Sequence, residues 1–440
     1  MSPVVHVFSF VAGFLILGGA PYAAYAGDQQ LTPNQRIVAE VWKSVDKQFY
    51  DRTFNGHDDW FKLRDEFVRK RSYNSKEEVY ESVAELLSKL DDPYTRFLTP
   101  AKLDSLVNSA TSTVGGIGVE LLDGTKTGLS LSTTSEAANC AVVVGDVQPN
   151  SPAEREGLVR GDAFEIVDGV SVCNRAMSPD DVASLLRGNA GSSVGVTVLR
   201  KESVGQAIPL DFKLRRETIK IQTVLSRVLK ISESADRGKV RLPRQIGVIR
   251  IKAFSTSSSE DVREALQALL SGSTPLSLDS DAIVLDLRNN QGGLLPGGID
   301  TARLFLEKGS TVVSVTNSKG AVVTESQDMQ PYFSGDKAIP PLFVLVNRNT
   351  ASAAEVLTAA LRENDRAVIV GENTFGKGIV QNIVRLRENT GVAVTTSVYN
   401  TPSGKSINKI GIKPDRNLDC GPLEVFDKCL LGHEDAFALE

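Results

Sequence analysis

PLFVLVNRNTASAAEVLTAALRENDRAVIVGENTFGKGIVQ, residues 341–381, decides the reading of this chain. Its apolar run Leu342 to Val346 has the pattern of a buried strand. A polar turn, Asn347 to Thr350, follows. Ala351 to Arg362 then has helical spacing, with Ala354, Val356, Leu357, Ala360 and Leu361 as the apolar stripe. Ser352 stands where strand gives way to helix. A second strand, Ala367 to Val370, leads into Gly371-Glu-Asn-Thr-Phe-Gly376-Lys377-Gly378. A serine and a lysine thus both lie just past strand ends, where open α/β sheets place their chemistry.

Three readings compete for this stretch. In the plainest, Ser352 and Glu355 form a capping box, S-x-x-E, and nothing more. In the second, Gly371 and Gly376-Lys377 open a phosphate-binding loop. Position 378 is Gly, however, so the hydroxyl that would hold Mg²⁺ is missing, and Ile379 to Leu386 reads as a strand where that motif needs a helix. In the third, Ser352 and Lys377 form a catalytic pair. A lysine made neutral by desolvation can take a proton from a serine hydroxyl. Histidine bookkeeping favours this over a Ser-His-Asp triad, because His6, His57 and His433 all lie far from the segment. Ala353, Phe375, Ile379 and Val380 flank the pair and are expected to line a dry pocket.

The segment resembles the catalytic stretch of the C-terminal processing peptidases, the tail-specific proteases. The family strings T-A-S-A-x-E and T-F-G-K-G match Thr350 to Glu355 and Thr374 to Gly378. The resemblance implies Ser352 as nucleophile, Lys377 as general base, Gln381 as the residue that positions the lysine, and Glu355 as a supporting acid. It implies no metal, nucleotide or other cofactor. It extends over nearly all the chain after residue 30. It is strongest to family members of the thylakoid lumen that trim the C-terminal extension of the photosystem II reaction-centre precursor. A bacterial periplasmic protease of broad specificity and a non-catalytic PDZ adaptor are the alternatives.

The chain's 440 residues are too many for one ordinary core, so two or three domains are expected. With 41% hydrophobic and 23% charged residues the composition is that of a soluble globular protein. The net charge of −5 and the lack of a basic run argue against a nucleic-acid partner. Val7 to Ala20 has the length of a signal-peptide core, and Ala24-Tyr25-Ala26 fits a cleavage site. Residues 1–26 are therefore expected to be a targeting segment, atypical in having no Lys or Arg before the apolar core.

Residues 27–110 are expected to be helical, with helices from Thr32 through Val45, near Trp60 to Arg71, and from Ser75 to Leu90. Asp91-Asp-Pro-Tyr-Thr-Arg-Phe-Leu98 breaks the pattern. The family carries a very similar string there, and its role is read as architectural. Residues 113–216 change to strand-like runs punctuated by Gly, Asp and Ser, with one helix, Pro179 to Leu186. Ser151-Pro152-Ala153, Gly157-Leu158 and Gly161-Asp162 resemble the middle of a PDZ domain. Gly115, Gly116, Ile117, Gly118 and Val119 then resemble its carboxylate-binding loop, where backbone amides converge on an anion and an extended tail adds a strand. Cys140 with Cys173, and Cys420 with Cys429, could each close a disulfide, or all four could stay reduced.

Residues 217–430 alternate strands and helices, the pattern of an α/β core that the N-terminal helical region completes. The whole is thus an α+β and α/β multidomain chain of the tail-specific protease type with an inserted PDZ domain. Asp286-Leu-Arg-Asn-Asn-Gln-Gly292-Gly293 follows a strand. In the family a glycine of this string supplies one oxyanion-hole amide, and Gly292 and Gly293 are equally eligible. Ala353, at the start of the helix beside Ser352, would supply the other. The implied partner is a precursor protein with a free C-terminal tail, with peripheral contact to a membrane-embedded substrate and no nucleic acid.

Overall fold

The computed structural model describes residues 31–439 apart from 57–58, 112, 125–139, 174–176, 202–206, 232–240, 272–274, 278–280, 321, 327–339, 420–428 and 430–432. The N-terminal stretch expected to be a targeting segment and Cys420 lie outside the described residues. The chain divides into two compact units: Ser112–Gln222, and the remainder on either side of it.

The larger unit opens with three helices. Helix α1 (Pro33–Gln48) starts from a complete capping box between Thr32 and Gln35, with proline at its first position. Helix α2 (Trp60–Arg64) runs on as a π-helical turn, Asp65–Lys70, and α3 (Lys76–Ser88) starts from Ser75, whose hydroxyl accepts the Glu78 N–H. Their apolar faces meet around Trp60, which stacks on Trp42 and Phe54. The same cluster takes in Val384, Val392 and Val394 from far along the chain. Asp91 to Leu98 ends in a short strand, β1 (Arg96–Leu98), and α4 (Pro100–Thr111) follows.

The smaller unit holds β2 (Thr113–Gly116), β3 (Val119–Asp123), β4 (Val142–Val147), α5 (Pro152–Glu156), β5 (Ala163–Val167), β6 (Val170–Ser171), α6 (Pro179–Leu186), β7 (Ser193–Lys201), β8 (Ala207–Arg215) and β9 (Glu217–Lys220). Strands β3-β4-β5-β7-β8 form an antiparallel sheet with β6 on β5. Strand β3 is an edge, beside α6. Strand β9 pairs with β2, which carries the unit a few residues past 216. Cys140 and Cys173 are joined by a disulfide, with Cα atoms 4.4 Å apart.

The larger unit resumes with β10 (Val224–Lys230), β11 (Gln245–Ile251), α7 (Ser258–Ser271), β12 (Ala282–Asp286), α8 (Leu295–Arg303), β13 (Thr311–Asn317), β14 (Val322–Ser326), β15 (Leu342–Val346), α9 (Ala353–Glu363), β16 (Val368–Gly371), β17 (Ile379–Arg385), β18 (Gly391–Asn400) and β19 (Arg416–Asn417). One sheet has the order β10-β11-β12-β15-β16-β19 and is parallel except for β10. Its middle strands β12 and β15 are buried at every residue, which is why they read as unbroken apolar runs. A second, antiparallel sheet runs β1-β18-β13-β14, with β17 also on β18. Helix α9 is buried from Ala353 through Leu361 in the core that both sheets share, so its cover extends beyond the expected apolar stripe to Glu355 and Thr358.

Candidate active site

Strands β12 and β15 are parallel neighbours, so their C-terminal turns emerge side by side. Asn residues latch the two turns together. Asn347 Oδ1 accepts the Asn289 N–H and its Nδ2 donates to Asn289 Oδ1, both at 2.9 Å. The Asn290 carbonyl accepts the Ala351 N–H at 2.9 Å. Beneath them the buried Asp286 carboxylate is held by Arg288 Nε and Nη2 at 2.9 Å. This latching presses Gly292 onto Ser352: a Cβ there would lie 2.7 Å from Ser352 Cβ, so only glycine fits.

Ser352 caps the start of α9 with φ 58° and ψ −122°. A non-glycine residue at positive φ costs on the order of 1–3 kcal/mol and persists only where its surroundings impose it. Here Glu355 does much of the imposing. Its carboxylate is 0% exposed and accepts four hydrogen bonds. Oε2 takes the Ser352 N–H and the Lys377 N–H, each at 2.9 Å. Oε1 takes the Thr374 hydroxyl at 2.6 Å and the Gly376 N–H at 2.7 Å. Capping is therefore one of its four bonds. The other three clamp the loop between β16 and β17 against the start of α9.

Lys377 enters the site from that loop. Its Nζ donates to Gln381 Oε1 at 3.1 Å. Gln381 Nε2 in turn donates to the Tyr94 carbonyl, and the lysine Nζ sits 5.3 Å from the Tyr94 ring centroid. The Tyr399 hydroxyl donates to the Lys377 carbonyl. Ser352, Lys377, Gln381, Gly293, Tyr399 and Arg96 line one cleft of about 260 Å³. Burial pulls the Lys377 amine below its ordinary value, and Arg96 adds to the fall, while Asp92 and Glu355 oppose it. Burial pushes the Tyr399 phenol well up, Glu355 adds to this, and hydrogen bonding with Ser352 opposes it.

The two glycines differ. Gly292 N–H donates to Asn290 Oδ1 at 2.8 Å. Gly293 makes a parallel bridge with Phe254, in which Phe254 bonds to the Gly292 carbonyl and the Leu294 N–H. The Gly293 N–H is thus on the face turned away from Phe254, and Gly293 lines the cleft. Ala353, at the first position of α9, has an N–H that the helix itself does not use.

The structure brings Ser352, Glu355, Lys377, Gln381, Ala353, Gly292 and Gly293 together, with two corrections. Phe375 is 56% exposed and does not wall the cleft, although Ile379 and Val380 do. In the other unit, Gly115 and Gly116 lie within β2, paired to β9, and the Gly115 carbonyl accepts the Gly188 N–H at 3.0 Å. That ladder leaves Ile117 and Gly118 as the loop, with Val119 opening β3 opposite Val147. The carbonyls of Ile117 and Gly118 are tied inward by the Ala153 and Gln148 amides, each at 2.9 Å. Gly118 has φ 82° and no room for a side chain against Ser151. The phosphate-loop reading also fails. The Gly376 and Lys377 amides already serve Glu355, and β17 follows where a helix would be needed.

Sequence reasoning missed Tyr94, Arg96 and Tyr399. The Asp91–Leu98 string was the available signal for the first two, since its irregularity had no explanation in helix packing.

A model of peptidase family S41 matches residues 245–418, and a PDZ domain model matches residues 143–200. The chloroplastic C-terminal processing peptidase of Tetradesmus obliquus is 35% identical over 402 residues, 90% of this chain and 80% of that protein. The carboxyl-terminal-processing protease of Synechocystis sp. is 36% identical over 413 residues, 94% of this chain and 86% of that protein. A solved structure of a photosystem II D1 C-terminal processing protease matches with TM-score 0.53 at 34% identity, covering 89% of this chain and 94% of its own.

Glu355→Gln tests the clamp. An amide must turn its NH₂ toward two of the four donors, so unfolding should become easier by about 2–4 kcal/mol. Denaturant melts would measure this, and a loss under about 0.5 kcal/mol would mean that the four bonds do not hold the loop.

Proposed function

The chain belongs to peptidase family S41, as a serine peptidase with a PDZ domain, and from that premise we propose that it removes a C-terminal extension from a precursor protein with Ser352 and Lys377. The observation that carries the reading is the shared cleft: a serine held at a strained strand–helix turn faces a lysine whose amine burial makes less basic.

Ser352 Oγ attacks the scissile carbonyl carbon while its proton passes to neutral Lys377 Nζ. Nζ bonds to Gln381 in this structure, and catalytic hydrogen bonds commonly tighten only once substrate is bound. The tetrahedral oxyanion accepts from the Ala353 and Gly293 amides; of the two glycines, Gly292 has already spent its N–H on Asn290. The C–N bond breaks as the Lys377 ammonium protonates the leaving amine. Lys377 then takes a proton from water, whose oxygen attacks the acyl carbon, and Ser352 Oγ leaves with the proton. Glu355 places the pair through the backbone amides of Ser352 and Lys377, and Gln381 orients Lys377 Nζ through its side-chain oxygen.

The smaller unit is read as the receptor for the tail. The edge strand β3 and the adjoining loop residues Ile117 and Gly118 offer a strand partner and backbone amides for a terminal carboxylate. The substrate proposed is the photosystem II D1 precursor, supported by likeness to a protease of that name and to chloroplastic and cyanobacterial relatives. The compartment proposed is the thylakoid lumen, with a bacterial periplasm as the alternative, and a membrane-embedded substrate would be met peripherally.

Ser352→Ala and Lys377→Ala should each lower kcat by roughly 10⁴-fold or more with melting unchanged, and the double variant should be little worse. Near-normal turnover by Lys377→Ala would sink the pair. Amidating a peptide substrate's C-terminus should lower kcat/KM about 10- to 100-fold, the worth of charge-assisted bonds to a carboxylate. Equal cleavage of free and amidated peptides would remove the PDZ domain from tail recognition.

A further inference from the structure

The Asp91–Leu98 string was read as architecture, but it contributes Arg96 to the cleft. Its shape is fixed by Asp92, whose carboxylate accepts the Tyr94 and Thr95 amides at 3.1 Å, the Thr95 hydroxyl at 2.6 Å and the Thr395 hydroxyl at 2.7 Å. Strand β1 then fixes Arg96 opposite Ala393 of β18. So held, Arg96 lines the same cleft as Ser352 and Lys377.

The charged groups around Lys377 are unevenly committed. Asp92 in the turn and Glu355 on α9 are anions, and each already accepts four hydrogen bonds. Tyr94 and Tyr399 are phenols, the latter donating to a carbonyl. Other arginines of this unit, Arg250, Arg288 and Arg303, are paired with carboxylates. The Arg96 side chain, exposed at the cleft, has no hydrogen bond or ion pair among the described residues. A permanent cation left unpaired in a cleft beside a lysine repels the ammonium and not the free amine.

We propose that Arg96 is a positioning residue whose charge, carried to the cleft wall by β1, keeps Lys377 uncharged so that it can act as the base. This rests on the reading of Lys377 given above. The direction of its effect agrees: Arg96 stands second only to burial in lowering the lysine. The active form is the free amine, so kcat/KM rises with pH through the Lys377 titration, and removing a neighbouring cation moves that rise to higher pH.

The test is the pH profile of kcat/KM on a quenched peptide with a free C-terminus, using the full chain. Arg96→Gln should move the rise up by on the order of 0.5–1 pH unit, leaving rates about 3- to 10-fold lower below it and converging above it. Arg96→Lys, which keeps the charge, should restore the original profile. Added salt should move the wild-type rise up and the Arg96→Gln rise less, because an exposed charge is screened. Three results would overturn the inference: an unmoved rise; equal loss at every pH, which marks a structural role; or a raised KM with the rise in place, which marks Arg96 as a contact for a substrate carboxylate. Lys377→Ala separates the two claims. If it still turns over, the base reading itself fails; if it is dead while the Arg96→Gln profile is unmoved, only the role of Arg96 fails.

Discussion

The Glu355 carboxylate, fully buried and bonded to Ser352, Thr374, Gly376 and Lys377, fixes one end of α9 to a loop 19 to 22 residues away. A buried carboxylate is tolerated only when its oxygens are satisfied. The satisfaction here is specific: two backbone segments must come together in one geometry to supply the donors. That geometry sets the positive φ of Ser352 and the point at which Lys377 enters the cleft. Gly292 completes it from the other side, because no larger residue could approach Ser352 so closely.

The clamp has a side effect that the rest of the site must offset. A carboxylate near Lys377 favours the ammonium, and so does Asp92. Burial acts the other way and is the largest influence on the amine. Gln381, fixed by the Tyr94 carbonyl, gives the amine a neutral partner. A neutral acceptor holds the lysine in place without adding an anion that would keep it protonated.

Local patterns made much of this legible. The runs at Leu342 to Val346 and Ala282 to Leu287 are apolar without alternation because their strands are covered on both faces. The serine and the lysine both follow strand ends, which placed them on one edge of the sheet before any contact was known. What was hidden depends on long-range pairing. Gln381 meets the Tyr94 carbonyl across 287 positions, and Arg96 reaches the cleft only because β1 pairs with β18. Gly115 and Gly116 looked like part of a binding loop, but their partner strand, Glu217–Lys220, lies some hundred residues downstream. Phe375 was placed inside by its apolar character alone, whereas the loop's backbone, tied to Glu355, turns it to solvent.

The central claim is that the fold makes Lys377 a base. Its most direct test is the titration of Lys377 Nζ itself, followed by heteronuclear NMR of lysine-labelled protein and assigned by loss of the signal in Lys377→Ala. The account predicts a midpoint clearly below the ~10.4 of a free lysine. A midpoint at or above that value would mean that Asp92 and Glu355 prevail over burial, and would contradict it.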